Sequence, residues 1–172
     1  DSELVSTRQG LFGHSHDRTV FAVSNLARDL YGVGRYREVL MMQQSVLPSA
    51  IDLMGARHPE VLLAARTVAI ALRKTGQYEE AFEQSQANYL AYQGRFGPAH
   101  QYTLAAAMSY AQCLRVLGRT AEAFDLASEA ERSYSRNLGD RHPLTLMARV
   151  NLGIMLRAVG EEARGAGRVG LQ

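Results

Sequence analysis

Apolar residues recur along this chain at the three-and-four spacing of a helix face, and they do so in blocks. Between residues 59 and 75 the stripe is Leu62, Ala65, Val68, Ala69 and Leu72. Pro59 opens the block, at the helical position where a missing N–H costs nothing. Gly76 closes it, as a C-terminal glycine does. A second block starts at Gln77 and Tyr78 and runs to Phe96, where Gly97-Pro98 ends it. No stretch alternates apolar and polar residues between turns, so the pattern predicts helices and no sheet. Extended along the chain, the reading gives first (A) helices at 17–33, 59–75, 101–117 and 143–159. Second (B) helices fall at 35–54, 77–96 and 119–138.

The blocks repeat every 42 residues. Gly13, Gly55, Gly97 and Gly139 share this spacing, as do His16, His58, His100 and His142. So do Gly34, Gly76, Gly118 and Gly160, and Leu30, Leu72, Leu114 and Leu156. A fifth register holds the small residues Ala27, Ala69, Ala111 and Gly153. A helix pair of this length cannot bury its stripe alone, whereas stacked pairs bury it continuously. The division expected over 1–172 is therefore a single run of repeats. Residues 1–12 end a preceding unit, and 13–54, 55–96 and 97–138 are complete ones. Residues 139–160 are the first helix of a last unit. Residues 161–172 form a short, frayed tail interrupted by Gly165, Gly167 and Gly170, at about 1 kcal/mol per glycine. Pro48, inside the first B helix, predicts a kink.

The unit resembles a tetratricopeptide repeat in the 42-residue form found in kinesin light chains. The residues that carry the likeness are Gly139-x-x-His142-Pro143, Asn151-Leu152-Gly153, Leu156 and Gly160. Asn25-Leu26-Ala27, Leu30, Gly34, Glu80-Ala81 and Glu122-Ala123 add to it. Thr67 and Ser109 depart from it where asparagine is usual, and Val39 where alanine is. The resemblance implies an all-α fold, a right-handed superhelical solenoid of antiparallel helix pairs, with A helices lining a concave face that binds a protein or peptide. Similar repeats occur in bacterial regulators behind nucleotide-binding switch domains. They imply an alternative role as the regulatory or sensor arm of a larger switch or transcriptional regulator. An almost exclusive use of arginine over lysine (Lys74 is the one lysine) suits such a bacterial source.

On each A helix one i, i+4, i+7 set lies off the core stripe. The sets are Ser24, Arg28, Tyr31; Arg66, Ile70, Arg73; Met108, Gln112, Arg115; and Val150, Ile154, Arg157. By resemblance these positions face the ligand, with Asn25, Thr67, Ser109 and Asn151 beside them. The expected peptide-binding residues are Asn25, Arg28, Tyr31, Arg66, Arg73, Lys74, Gln112, Arg115, Asn151 and Arg157, with Ile70, Met108, Val150 and Ile154 as apolar contacts. The A helices carry eight basic against three acidic residues, a net +5, and the B helices six against nine, a net −3. Arginine suits bidentate contacts to carboxylates. The expected ligand is therefore an acidic segment or a free C-terminal carboxylate.

Composition narrows the remaining choices. With 47% hydrophobic and 21% charged residues, the chain belongs with folded proteins. No apolar run reaches the length of a membrane span, and no membrane partner is expected. One cysteine, Cys113, cannot form an internal disulfide, lies in an apolar helical pattern and points to a cytoplasmic home. Histidines one repeat apart cannot share an ion, and His14-x-His16 is a single pair, so neither metal nor other cofactor is expected. The repeated histidines are expected to satisfy helix-start N–H groups. Phosphate loops, serine-hydrolase motifs and an activated cysteine are all missing, so no catalysis is expected. A net charge of +2 argues against nucleic acid. An exposed repeat end also leaves room for a homo-oligomer.

Overall fold

The computed structural model describes Glu3, Ser6, Thr7 and residues 17–169. The expectation of a truncated unit over 1–12 therefore lies largely outside the described residues, and those on His14 and His16 lie wholly outside. Seven helices and no strands are present among the described residues. They are α1 (Asp17–Gly32), α2 (Tyr36–Met54), α3 (Pro59–Lys74), α4 (Tyr78–Phe96), α5 (Gln101–Val116), α6 (Thr120–Leu138) and α7 (Pro143–Val169). The first six agree with the periodicity to within a residue at each end.

Two kinds of short connection join them. The three-residue turns that follow α1, α3 and α5 are built on glycine in the left-handed region. At Gly76 φ is +89°, and the Gln77 N–H donates back to the Leu72 carbonyl at 2.9 Å. Arg35 to Leu30 and Arg119 to Leu114 repeat the bond. This six-to-one bond occupies a carbonyl left over at the helix end and reverses the chain within three residues. The four-residue turns before α3, α5 and α7 end on histidine. His58, His100 and His142 each accept an N–H through Nδ1, from Glu60, Tyr102 and Leu144, at 3.2–3.3 Å. The repeated histidines are thus helix N-caps, as expected, and the bond spans only two residues.

The chain forms two compact units, residues 1–91 and 92–172, and their boundary falls inside α4. In the first unit α1 packs on α2, α2 packs on α3, and α1 also touches α3. Its core combines Val23, Ala27 and Leu30 with Val39 and Val46 and with Val68, Ala69 and Leu72. Alanine at 27 and 69 lets the helices approach closely. The first part of α4 is tied in by Asn88, whose Nδ2 donates to the Leu62 carbonyl at 2.9 Å. Helix α2 runs through Pro48, which leaves the Gln44 carbonyl without its helical donor. In the second unit α5 packs on α6, α6 packs on α7, and α5 touches α7. Ala111, Cys113, Leu114, Ala123, Ala127, Tyr134 and Met155 are its buried centre. The Tyr134 hydroxyl donates to the Gln101 carbonyl at 3.0 Å, closing the far end of α6 onto the start of α5.

The fourth unit departs from expectation. Helix α7 does not stop near residue 159, and no break follows Glu161. It continues through Gly160 to Val169, and Arg157 and Glu161 meet across one of its turns at 3.4 Å. The turn residues are the physical reason. Elsewhere the Glu-Ala pair lies four residues beyond the glycine (Gly76 to Glu80, Gly118 to Glu122), but here Glu162 lies two beyond Gly160. The residues that would reverse the chain are absent. Good helix formers follow directly, so the helix propagates. A second correction follows. Leu72 is 0% exposed and Leu114 2%, but Leu156, in the same register, is 58% exposed. Gly153, expected to allow close packing, has nothing within 4 Å of where a Cβ would stand. Among the described residues of α7, Thr145, Ala148 and Met155 are buried.

Candidate functional site

The A helices α1, α3, α5 and α7 carry the residues expected to face a ligand; Ser24 and Met108 among them are buried, and Arg66, Arg73, Gln112, Arg115 and Asn151 are half-buried. In the first unit Ser24, Arg28 and Tyr31, one helical face of α1, meet Leu63, Ala64, Arg66, Thr67 and Ile70 of α3 across a cleft of about 270 Å³. Gln43 of α2 also lines it. Of the expected residues the fold thus brings together Arg28, Tyr31 and Arg66. Asn25 sits beside them and accepts a hydrogen bond from Arg28 Nη2 at 3.2 Å. The Arg66 and Arg73 Nε atoms are buried and have no hydrogen-bond partner.

Lys74 lies elsewhere. Its ammonium stands over the Tyr36 ring, 5.7 Å from the centroid, in a separate hollow of about 390 Å³ with Arg35, Arg37 and Glu38. Tyr31 and Tyr36 meet edge to face at 5.4 Å.

In the second unit three expected residues form a chain of hydrogen bonds. Arg115 Nε donates to Gln112 Oε1 at 3.2 Å, and Gln112 Nε2 donates to Asn151 Oδ1 at 2.9 Å. Asn151 Nδ2 in turn donates to the Met147 carbonyl at 3.1 Å, one turn back on its own helix. Thr67 and Ser109, in the same register as Asn151, bond to the Leu63 and Ala105 carbonyls likewise. This register therefore binds its own helix first. Arg157 is paired with Glu161, and both side chains are well exposed. Met108, expected as an apolar ligand contact, is buried in the core, whereas Val150 and Ile154 are exposed.

Outside the expected site, three arginines among the described residues make ion pairs. Arg35 pairs with Glu38 and Arg119 with Glu122, each at the start of a B helix. Arg149 bridges Glu131, at 2.7 Å, and Asp140. The Arg119 hydrogen bond holds the Glu122 carboxyl below its usual value. The Ser135 hydroxyl and then Arg149 do the same for Asp140. By contrast, Arg28, Arg66, Arg73 and Arg115 make no ion pair among the described residues. Among those residues, too, no cluster of three or more His, Cys, Asp or Glu side chains is placed to hold a metal ion. No described helix is long and apolar enough to cross a membrane. The periodicity missed Gln43. The available signal was its place between Leu40 and Val46, a polar residue on an apolar stripe.

Helix pairs of constant length, joined by the same two turns, define a helical-repeat protein. A tetratricopeptide repeat profile matches residues 60–134 and 102–164, and a second profile of the same description matches residues 22–60. The chain belongs to the tetratricopeptide repeat family. Two crystal structures of nearly identical TPR-like repeats, assigned to a kinesin light chain of Podosopora anserina, share its fold. One, a point-substituted form, superposes with a TM-score of 0.78 at 19% identity, over 99% of this chain and 80% of that one. The other gives 0.76 at 20% identity, over 98% and 80%. No curated protein matches the sequence. Tetratricopeptide repeats are generally protein–protein interaction modules.

Proposed function

We propose that the exposed A-helix faces bind an acidic segment, or a free C-terminal carboxylate, of a partner protein. The residues assigned to contact it are Asn25, Arg28, Tyr31, Arg66, Arg73, Lys74, Gln112, Arg115, Asn151 and Arg157. One observation carries the reading. Arg35, Arg119 and Arg149 have carboxylate partners within the chain, whereas Arg28, Arg66, Arg73 and Arg115, all on A helices, have none among the described residues. A guanidinium held on a helix without a carboxylate partner can give its remaining hydrogen bonds to a carboxylate from outside. Gln112 and Asn151, already bonded to each other, hold Arg115 in place and offer amide groups to a peptide backbone.

The test uses the wild-type chain and an Arg73→Glu/Arg115→Glu variant as baits in a lysate. A synthetic peptide from any retained protein is then titrated against both. Circular dichroism checks that helicity is equal. Expected is a protein held by the wild type alone, whose acidic peptide binds the variant at least about tenfold more weakly. Equal retention by the two baits, or equal peptide affinity, would overturn the assignment.

A further inference from the structure

The cleft of the first unit holds more polar groups than its walls satisfy. Gln43 is 2% exposed and Ser24 is 8% exposed. Gln43 Oε1, Ser24 Oγ and Arg66 Nε are buried, and none has a hydrogen-bond partner. All three residues line the same space of about 270 Å³, together with Arg28 and Tyr31. Buried polar atoms in native proteins are normally paired, with protein, water or ligand.

The repeat supplies a control for whether the fold itself needs these residues. One period on from Gln43 stands Ser85, and one further Ala127, which is fully buried. Arg28 is replaced in register by Ile70 and then Gln112, and Ser24 by Arg66 and then Met108. In the third repeat the same register is filled by Ala127, without an amide at that position and without this pair of cations. Gln43, Ser24 and Arg28 occur together once in the chain, and they meet at a cleft.

The lining dictates the chemistry of an occupant. Arg28 and Arg66 bring two positive charges, and no carboxylate among the described residues lines the cleft. An anion is called for, and an ammonium group is disfavoured beside two guanidinium groups. The Gln43 carbonyl oxygen accepts and does not donate, so the occupant must also carry a neutral donor. Leu63, Ala64 and Ile70 provide apolar contact for a short carbon skeleton. The volume lies below the range usual for drug-sized ligands, so the occupant is small.

We propose that this cleft binds a small hydroxylated dicarboxylic acid. Its carboxylates meet Arg66 and Arg28, and its hydroxyl donates to Gln43 Oε1 and lies within reach of Ser24. The proposal goes beyond the peptide reading. It concerns a small molecule, involves the first unit alone, and can hold whether or not a partner protein binds.

Malate, succinate and inorganic phosphate are the probes, titrated calorimetrically into the whole chain. Malate and succinate differ only by the hydroxyl. Expected is malate binding at least about tenfold tighter than succinate, because a site built around a hydroxyl rejects the analogue without one. Gln43→Leu should remove that preference, and Gln43→Ala serves if the leucine variant does not fold, since the register already accepts alanine at 127. Arg66→Gln should abolish binding of both acids. Three results would overturn the proposal. An absence of heat from malate up to ~10 mM would leave water alone in the cleft. Equal binding of malate and succinate would remove the hydroxyl contact. Phosphate binding as tight as that of malate would make this a simple anion site. None of these results bears on the Arg73/Arg115 comparison, so the two readings fail separately.

Discussion

Helices α3 and α7 occupy the same place in the repeat, two periods apart. Pro59 corresponds to Pro143, Ala71 to Met155, Leu72 to Leu156, Arg73 to Arg157 and Gly76 to Gly160. They begin alike, each capped by a histidine Nδ1 that accepts an N–H two residues on. They end differently. Helix α3 stops before Gly76, the chain turns, and Leu72 is fully buried. Helix α7 passes through its glycine, no second helix folds back within the described residues, and Leu156 is exposed. Ala71 and Met155 are both buried, because the preceding pair covers that face of an A helix. Leu72 and Leu156 lie on the adjoining face, which a following helix must cover. The same residue type in the same register is core in one place and surface in the other, and the difference is the neighbour.

The largest test of this comparison is leucine truncation. Leu72→Ala should cost about 2–5 kcal/mol, the range for emptying a packed site. Leu156→Ala should change stability by no more than about 0.5 kcal/mol, as an exposed substitution does. Urea unfolding of both variants measures the difference, and equal losses would mean that the face of α7 is covered.

Glycine replacement should act with opposite signs. Gly118 adopts φ +76°, where alanine is strained, so Gly118→Ala should destabilise by about 1–2 kcal/mol. Gly153 lies within α7 with open space around it, so Gly153→Ala should stabilise by about 0.5–1 kcal/mol. Thermal unfolding of the two variants reads the signs directly.

The helix starts should not distinguish the two regions. His58→Ala and His142→Ala each remove one cap and should each lose about 1 kcal/mol, while asparagine at either position restores most of it. A markedly larger loss at His58 would show that the histidine does more than cap.

The smallest effect concerns acid. The start of α7 carries an ion cluster that α3 lacks, in which Asp140 is bonded to Ser135 and Arg149. The Asp140 carboxyl is depressed in the folded chain, so its contribution is present above the unfolded value. It is lost as pH falls through the folded value, below about 4. Melting curves at neutral pH and near pH 3 should therefore differ slightly less for Asp140→Asn than for the wild type. The Asp140 side chain is well exposed, which keeps the effect below that of any variant above.

Much of the fold was legible because its signals are local. The turn glycines, the histidine caps and Pro59 act through bonds that span two to five residues, and the residues concerned carry all the information needed. The arginines of the A helices were legible for the same reason, since a helix face follows from spacing alone. Their partners were not. Nothing in the spacing places Arg28 and Arg66 at one cleft while Lys74 turns to Tyr36, or buries Met108 while Val150 stays exposed. Those outcomes depend on which side chains a neighbouring helix presents.

The sequence by itself thus determined the period, the helix pairs, both kinds of turn and the family, since each rests on chemistry within a few residues. The tertiary structure alone decided that Leu156 is surface and that Gln43, a polar residue on a core stripe, lines the cleft between α1 and α3. Burial belongs to a pair of surfaces, and one stretch of sequence specifies only one of them.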